Sequence, residues 1–197
     1  MRYPVAFEIE RPPVFDRSHV FLRIAVLIVI GWIVQPVGLL WLGLPVVAAI
    51  LISQKGGERY LSEDGPTVTR ALHWIVDVVA YIALLTDRLP SRDEHTVRFE
   101  VERSGSPTVA SALLRILYAI PSLIVLAIVT WVGTIVWFFA MVLVFFNGTY
   151  PESWWNFLRR IVGWEARLIA YLASLVDEYP PFTLTTEPAS PAAPSSS

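Results

Sequence analysis

Two long apolar runs dominate the pattern of hydrophobic and polar positions along this chain. Residues 20–52 carry a single charge, at Arg23, and residues 112–146 carry a single charge, at Arg115. A straight helix as long as the first run would measure roughly 50 Å, whereas the hydrocarbon core of a bilayer is about 30 Å thick. We therefore expect each run to fold back on itself inside the membrane.

Each apolar run contains a segment that favours such a turn. The first has Pro and Gly within residues 35–38, and the second has Gly133 within residues 130–134. Proline removes a backbone donor and glycine loosens a helix, so both residue types favour a break. The sequence thus predicts an all-α integral membrane protein with four transmembrane helices arranged as two helical hairpins. For the first run, a re-entrant hairpin that stops at mid-membrane is the alternative.

The distribution of positive charge predicts the orientation of these hairpins. The chain has 15 Lys and Arg residues, and none of them lies in the two expected turns. Because cytoplasmic segments carry the excess of positive charge, we expect both termini and the central segment to be cytoplasmic. The two turns should then face outward.

The composition excludes several classes of protein. The chain is 55% hydrophobic and 16% charged, which disfavours a cytosolic enzyme, since soluble domains have about 25% charged residues. A net charge of −2 provides no basic surface for nucleic acid. The chain has no Cys, which excludes disulfides and thiolate metal sites.

A repeated pattern divides the chain into two similar halves. Residues 7–11 (FEIER) recur as residues 99–103 (FEVER). Nearer the end of each half, Arg70, Trp74, Ala80, Tyr81, Leu85, Asp87 and Pro90 recur as Arg160, Trp164, Ala170, Tyr171, Leu175, Asp177 and Pro180. We interpret the chain as a tandem duplication with repeats at 1–92 and 93–186. Residues 187–197 are rich in Pro, Ala and Ser and are expected to be a disordered tail.

Each repeat has the same expected order of elements. An alternating stretch at 5–10 or 96–102 predicts a strand, and the two strands should form a small cytoplasmic β-sheet. The membrane hairpin follows, and then a helix at 67–86 or 152–176. The second of these helices is amphipathic, with Trp and Leu on one face and Arg on another, so we expect two interfacial helices. The copies should point the same way, related by an axis near the membrane normal.

Several of these features resemble a known family. The Arg near the start of each apolar run, the Gly turn followed by Tyr150-Pro151, and the sequence LVDEYPPF at 175–182 are similar to bacterial membrane proteins grouped as domain of unknown function 4389. The resemblance covers both copies, and the second copy is closer. It implies the bacterial cytoplasmic membrane as location and supports the architecture, but it implies no chemistry.

Two kinds of residue are candidates for a functional role. Asp87 with Pro90 and Asp177 with Pro180 end corresponding helices; they form either a shared ion or proton site or, as we favour, local turns that accept backbone hydrogen bonds. Arg23 and Arg115 could instead form an anionic-ligand site, but lipid anchoring is the preferred role. The residues expected to anchor the chain at the interface are Arg23, Arg115, Arg159, Arg160, Trp32, Trp41, Trp131, Trp154 and Trp155.

No set of residues in the sequence predicts catalysis. His73 and Asp77 lie one helical turn apart, but the remaining histidines, His19 and His95, are too scattered for a metal site. We expect no cofactor, no metal and no enzymatic activity. The predicted function is a structural or accessory subunit whose partners are membrane lipids and other membrane-protein subunits or further copies of itself. The alternative is a small transporter or channel, formed between the repeats or in an oligomer.

Overall fold

The computed structural model describes residues 3–34, 37–89, 96–149 and 151–182, with the side chains of 27–40 outside the description. In chain order the elements are β1 (Val5–Ile9), α1 (Ser18–Val34), α2 (Val37–Lys55), α3 (Gly57–Arg59), a π-helical segment (Tyr60–Asp64), α4 (Gly65–Ile82), β2 (Val97–Val101), α5 (Val109–Asn147) and α6 (Glu152–Leu172).

The second apolar run is one uninterrupted helix, α5, which contradicts the predicted hairpin at 112–146. Gly133 does not break it, because a glycine in a helix costs only about 1 kcal/mol relative to alanine. Instead Gly133 permits close packing: a Cβ there would lie 2.7 Å from the Cδ1 atom of Ile161. The hydroxyl of Thr134 donates to the carbonyl of Thr130 at 2.9 Å, so this side chain also fits within the helix.

The first apolar run does not form a closed hairpin either. Both α1 and α2 pack on α5. Phe21 near the start of α1 contacts Phe145 near the end of α5, with ring centroids 5.7 Å apart. At the opposite end, a Cβ on Gly57 would overlap the carbonyl oxygen of Pro107. The pair α1–α2 therefore runs antiparallel to α5, and the predicted turn at Pro36 lies outside the described residues.

Four transmembrane helices are consequently not supported. Among the described helices, α5 alone is long and apolar enough to cross a membrane, judged by length and composition. The helix α2 contributes a shorter apolar stretch, Trp41–Lys55. The prediction was wrong because it treated a helix longer than the bilayer as impossible and assumed that each apolar run must cross the membrane.

A two-stranded antiparallel ribbon forms the face opposite the long helices. In it Phe7 lies directly across from Phe99, and Val5 lies across from Val101. In β2 the apolar residues alternate with Arg98 and Glu100, and Phe7 and Phe99 are buried. The small sheet expected from the alternating stretches is confirmed.

The helices α4 and α6 pack between this ribbon and the long helices. Phe7 contacts α6 at Gly163, where a Cβ would lie 3.0 Å from its ring, and Phe99 contacts His73 of α4. The opposite side of α6 contacts α5 through Ile161. Most of α6 is therefore buried between the ribbon and α5, and its expected place at the membrane interface stays a prediction. The sequence pattern of α6 indicates one polar face. That face includes Gly163, and the ribbon covers it.

Candidate functional site

The C-terminal ends of α4 and α6 adopt the same uncommon backbone turn. Leu84 and Ser174 have φ angles of 61° and 57°, in the left-handed region that favours glycine. After each of them the next amide donates across the turn, from Leu85 to the carbonyl of Ala80 at 2.9 Å and from Leu175 to Ala170 at 3.2 Å. This is the Schellman arrangement, which usually has glycine at the left-handed position. Some other interaction must therefore hold these turns.

Arg23 reaches the turn at the end of α4 and is fully buried there. Its Nε donates to the carbonyl of Tyr81 at 2.9 Å, and its Nη2 donates to the carbonyl of Thr86 at 2.6 Å. The same Nη2 forms an ion pair with the Oδ1 of Asp87 at 2.7 Å. The guanidinium carbon lies 4.8 Å from the centroid of the Tyr81 ring, within the range of a cation–π contact.

Arg115 makes the matching set of contacts at the end of α6. Its Nη1 donates to the carbonyls of Tyr171, at 2.7 Å, and Val176, and its Nη2 pairs with Asp177 Oδ1 at 2.5 Å. The guanidinium carbon lies 4.6 Å from the centroid of the Tyr171 ring. A cation at a helix C-terminus is favoured by the helix dipole and by the carbonyl groups that the helix leaves unpaired.

The second oxygen of each aspartate holds the segment that leads into the long helix. Asp87 Oδ2 accepts from the amide of Asp16 at 2.9 Å, and Asp177 Oδ2 accepts from the amide of Ser106 at 3.3 Å. Gly105 lies against the carboxylate of Asp177, where a Cβ would overlap Oδ2. Each Arg–Asp pair, which we call a clamp, thus ties a helix C-terminus to the start of a long apolar helix.

The two clamps are also tied across the halves of the chain. The Tyr60 hydroxyl donates to the carbonyl of Ala173, beside the second clamp. The indole nitrogen of Trp155 donates to the carbonyl of Leu85 at 3.2 Å, beside the first. Each half therefore contributes a hydrogen bond to the helix end of the other half, which couples the two clamps into one core.

The geometry explains the repeated residues Arg23, Arg115, Asp87 and Asp177 as structural. Both guanidinium groups are turned into the protein, so the anchoring role expected for them has no support from this arrangement. Asp87 is 64 residues from Arg23 and Asp177 is 62 residues from Arg115 along the chain, and sequence reasoning treated each charge alone. The signal that could have found the pairs is that one Arg and one Asp recur together in each half.

Ser174 offers a direct test of the strained turn. Its Oγ atom is buried and has no hydrogen-bond partner among the described residues. Replacing it with glycine removes left-handed strain of about 1–2 kcal/mol and an unsatisfied hydroxyl. We expect Ser174→Gly to raise the free energy of unfolding by roughly 1 kcal/mol, after allowing for the backbone entropy of glycine. Leu84→Gly at the matching position should instead destabilise, because it also deletes a buried side chain; chemical unfolding in detergent measures both.

A separate cavity of about 260 Å³ lies between α4, α5 and α6. Its walls are mostly apolar and include Trp137 and Ile161, with the polar groups of Thr130, Thr134 and Glu165. Thr130 donates to Glu165 Oε1 at 3.4 Å, and within the described part of the chain no cation pairs with this carboxylate. Burial in apolar surroundings raises the pKa of Glu165 to about 7. Sequence reasoning missed this residue. The signal that could have found it is its place on the apolar face of α6, at helical spacing from Leu158 and Ile161.

The raised pKa of Glu165 predicts how stability depends on pH. The folded chain favours the protonated carboxyl, so the stability that Glu165 contributes is fully present below the unfolded pKa of 4.5 and is lost as the pH rises through 7. The expected decline is about 3 kcal/mol, from the difference between the two pKa values. Glu165→Gln should abolish it, whereas Glu152→Gln, at an exposed position on the same helix, should leave it unchanged. Unfolding midpoints measured across this pH range test the prediction. If the midpoints of both variants declined with pH as much as the wild-type midpoint, Glu165 would not be the cause.

The remaining candidates for interface anchoring are found in different environments. Trp131 is 70% exposed, Arg160 is exposed, and Trp41 and Trp154 are half-buried. Trp155 is buried and stacks with Arg159, whose guanidinium carbon lies 5.4 Å from the Trp155 ring centroid. Pro180 is buried at the end of the second clamp. Pro90 and the side chain of Trp32 lie outside the described residues.

His73 and Asp77 serve the backbone of the ribbon. His73 Nε2 lies 2.6 Å from the carbonyl oxygen of Val97, and Asp77 Oδ1 accepts from the amide of Val97 at 3.1 Å. Both side chains thus hold the first residue of β2 on α4. Over the described ranges, no group of His, Cys, Asp or Glu side chains could hold a metal ion.

One family model matches part of the chain. Residues 110–183 match the family model described as Domain of unknown function (DUF4389), which includes α5, α6 and the whole of the second clamp. This confirms the resemblance for the second half of the chain; the match does not extend to the first half. No curated protein and no solved structure matches the chain.

Proposed function

We propose that this chain is a non-catalytic membrane protein that acts as a structural or accessory subunit, packed against lipids and against a larger membrane complex. One observation carries the proposal, namely that α5 exposes large apolar side chains along its whole length. Apolar surface of this extent is typical of a membrane or protein interface. The most exposed of these side chains are Leu117, Tyr118, Ile124, Ile128, Trp131, Phe138, Phe139 and Phe146.

We further propose that the chain lies in the bacterial cytoplasmic membrane with both termini on the cytoplasmic side. The hydroxyl of Tyr3 donates to the carbonyl of Glu178 at 3.2 Å, so the two ends of the described chain lie side by side. Tyr3 leads into β1, and Glu178 follows Asp177 of the second clamp. This proximity supports a common side for the termini.

The two halves are proposed to be tandem copies of one ancestral unit. The matching clamps, the matching left-handed residues Leu84 and Ser174, and the symmetric register around Phe7 and Phe99 all support a duplication. In this arrangement a two-fold axis passes through the centre of the ribbon. A first copy that has diverged further would account for a family match that covers residues 110–183 alone.

Membrane embedding can be tested with vesicles. The purified chain, mixed with vesicles of phosphatidylethanolamine and phosphatidylglycerol, should float with them and resist extraction by alkaline carbonate. A photoreactive side chain in place of exposed Trp131 should form adducts with lipid or with a membrane protein in native membranes. The same group in place of Glu100 on the ribbon should not label lipid. A chain that is monodisperse without detergent and does not float would overturn the proposal.

A small transporter or channel is the second candidate function, and the cavity beside Glu165 is the observation that favours it. A carboxylate with two threonine hydroxyls in an apolar wall could bind a small polar or cationic solute. Solute flux in proteoliposomes that is lost in Glu165→Gln and kept in Glu152→Gln would support this role. Absence of any flux from the wild-type chain would count against it.

A further inference from the structure

The polar face of the ribbon and the middle of α5 lie at the same level along the helix axis. Phe7 at the centre of the ribbon contacts Gly163, and Gly163 is followed on α6 by Glu165, which contacts Thr130. Thr130 lies close to the midpoint of α5. The ribbon, α6 and α5 are therefore stacked as three layers whose centres coincide.

The outer face of the ribbon is charged at this level. Arg98 forms ion pairs with Glu100 at 2.9 Å and with Glu8 at 3.8 Å. The side chains of Arg98 and Glu100 are about half exposed, so they face outward from the stack. If α5 crossed a bilayer with its centre at mid-membrane, these charges would face hydrocarbon, where ionisable side chains are rare and costly.

Shifting α5 along its own axis does not remove the conflict. Moving the ribbon out to one membrane surface would carry one half of α5 into water. The first half exposes Leu117 and Ile124 and the second half exposes Trp131 and Phe138, each by more than half. A crossing orientation thus leaves either the ribbon charges in lipid or one of these apolar sets in water.

We infer that α5 and the α1–α2 pair lie parallel to the membrane plane, embedded in a single leaflet, with the charged face of the ribbon in water. This inference rests on the proposed membrane location and specifies the surface involved. The partner of that surface is the acyl region of one leaflet. The two-fold axis between the halves would then stand along the membrane normal.

The thickness of the layers and the side chains of the middle layer fit this placement. A helix is about 10 Å across, so the long helices would fill most of a hydrocarbon half-layer of roughly 15 Å. The middle layer would then lie at the headgroups, where Trp and positively charged side chains are favoured. This layer exposes Trp74 and Arg70 on α4 and Arg160 on α6.

Depth measurements along α5 test the inference, since the chain has no native Cys. Single-cysteine variants Leu117→Cys, Ile128→Cys and Phe146→Cys would each carry a spin label in phosphatidylethanolamine–phosphatidylglycerol vesicles. Accessibility to oxygen and to a water-soluble nickel chelate reports depth. For an in-plane helix, all three labels should lie at similar depth, within about 5 Å. Glu100→Cys, the matched control on the ribbon, should be fully accessible to the chelate.

A crossing helix would give a different profile. Ile128→Cys would then be deepest, and the other two labels would be shallower by roughly 15 Å or more, from the rise per residue of a helix. That profile, in variants that float with vesicles, would overturn the in-plane inference and leave the membrane location intact. If the labelled chains did not float, both the inference and the proposed function would be wrong. All four variants should have the same circular dichroism spectrum and unfolding midpoint as the wild type.

Discussion

Arg23→Met should lower the free energy of unfolding by about 3–5 kcal/mol, the range found when one partner of a buried ion pair is removed. Arg23 is fully buried, and its guanidinium binds two carbonyls as well as the carboxylate of Asp87. Methionine fills a similar volume but donates to none of these three oxygens, and the Tyr81 carbonyl keeps the amide of Leu84 at 3.3 Å. Chemical unfolding in detergent would measure the change.

Two further variants distinguish the loss of the clamp contacts from the loss of a positive charge in general. Arg23→Lys should recover little of the loss, because a single ammonium cannot reproduce the fork of donors that the guanidinium provides. Arg160→Met, on the exposed face of α6, should change stability by no more than about 0.5 kcal/mol. Equal effects of Arg23→Met and Arg160→Met would contradict the clamp.

Gly105→Ala should be the second most damaging change, with an expected loss of about 3 kcal/mol or more. Gly105 has a φ of 89°, where an L-residue costs about 1–2 kcal/mol. The added Cβ would also overlap Asp177 Oδ2 and displace the carboxylate from Arg115. Strain and the disturbed ion pair therefore act together, and thermal unfolding should report both.

Two other glycines serve as matched controls for Gly105. Gly56 has a φ of 84° and open space around its Cβ position, so Gly56→Ala should cost only the backbone strain of about 1–2 kcal/mol. Gly43 lies inside α2 with no atom near its Cβ position, and Gly43→Ala should stabilise the helix by up to about 1 kcal/mol. A similar loss in Gly105→Ala and Gly56→Ala would show that the contact with Asp177 is unimportant.

Local patterns predicted the ribbon and the two shorter helices well. The alternation around Phe7 and Phe99 is a period-two signal that depends only on neighbouring residues. The helices expected at 67–86 and 152–176 are found at Gly65–Ile82 and Glu152–Leu172. These elements are specified by their own sequence, so their existence follows without knowledge of the rest of the fold.

The arrangement of the long helices could not be predicted in the same way. Gly133 is compatible with a turn or with a close helix contact, and only the position of Ile161 decides between them. The clamps pose the same difficulty, because Arg115 and Asp177 are 62 residues apart. Their repetition in the sequence marked them as important, but their pairing depends on the tertiary contact between α5 and the end of α6.

The continuity of α5 is the claim on which the account depends most, and one distance measures it. The chain has no native Cys, so spin labels can be attached to a Leu117→Cys, Phe146→Cys double variant. Pulsed electron paramagnetic resonance then measures the distance between the two labels in lipid vesicles. An uninterrupted helix places these two positions roughly 43 Å apart, from a rise of about 1.5 Å per residue. A helical hairpin with its turn near Gly133 would bring the labels to within about 20 Å, because its two arms would lie side by side. A single population near the longer distance supports the fold described above, and a population at the shorter distance contradicts it.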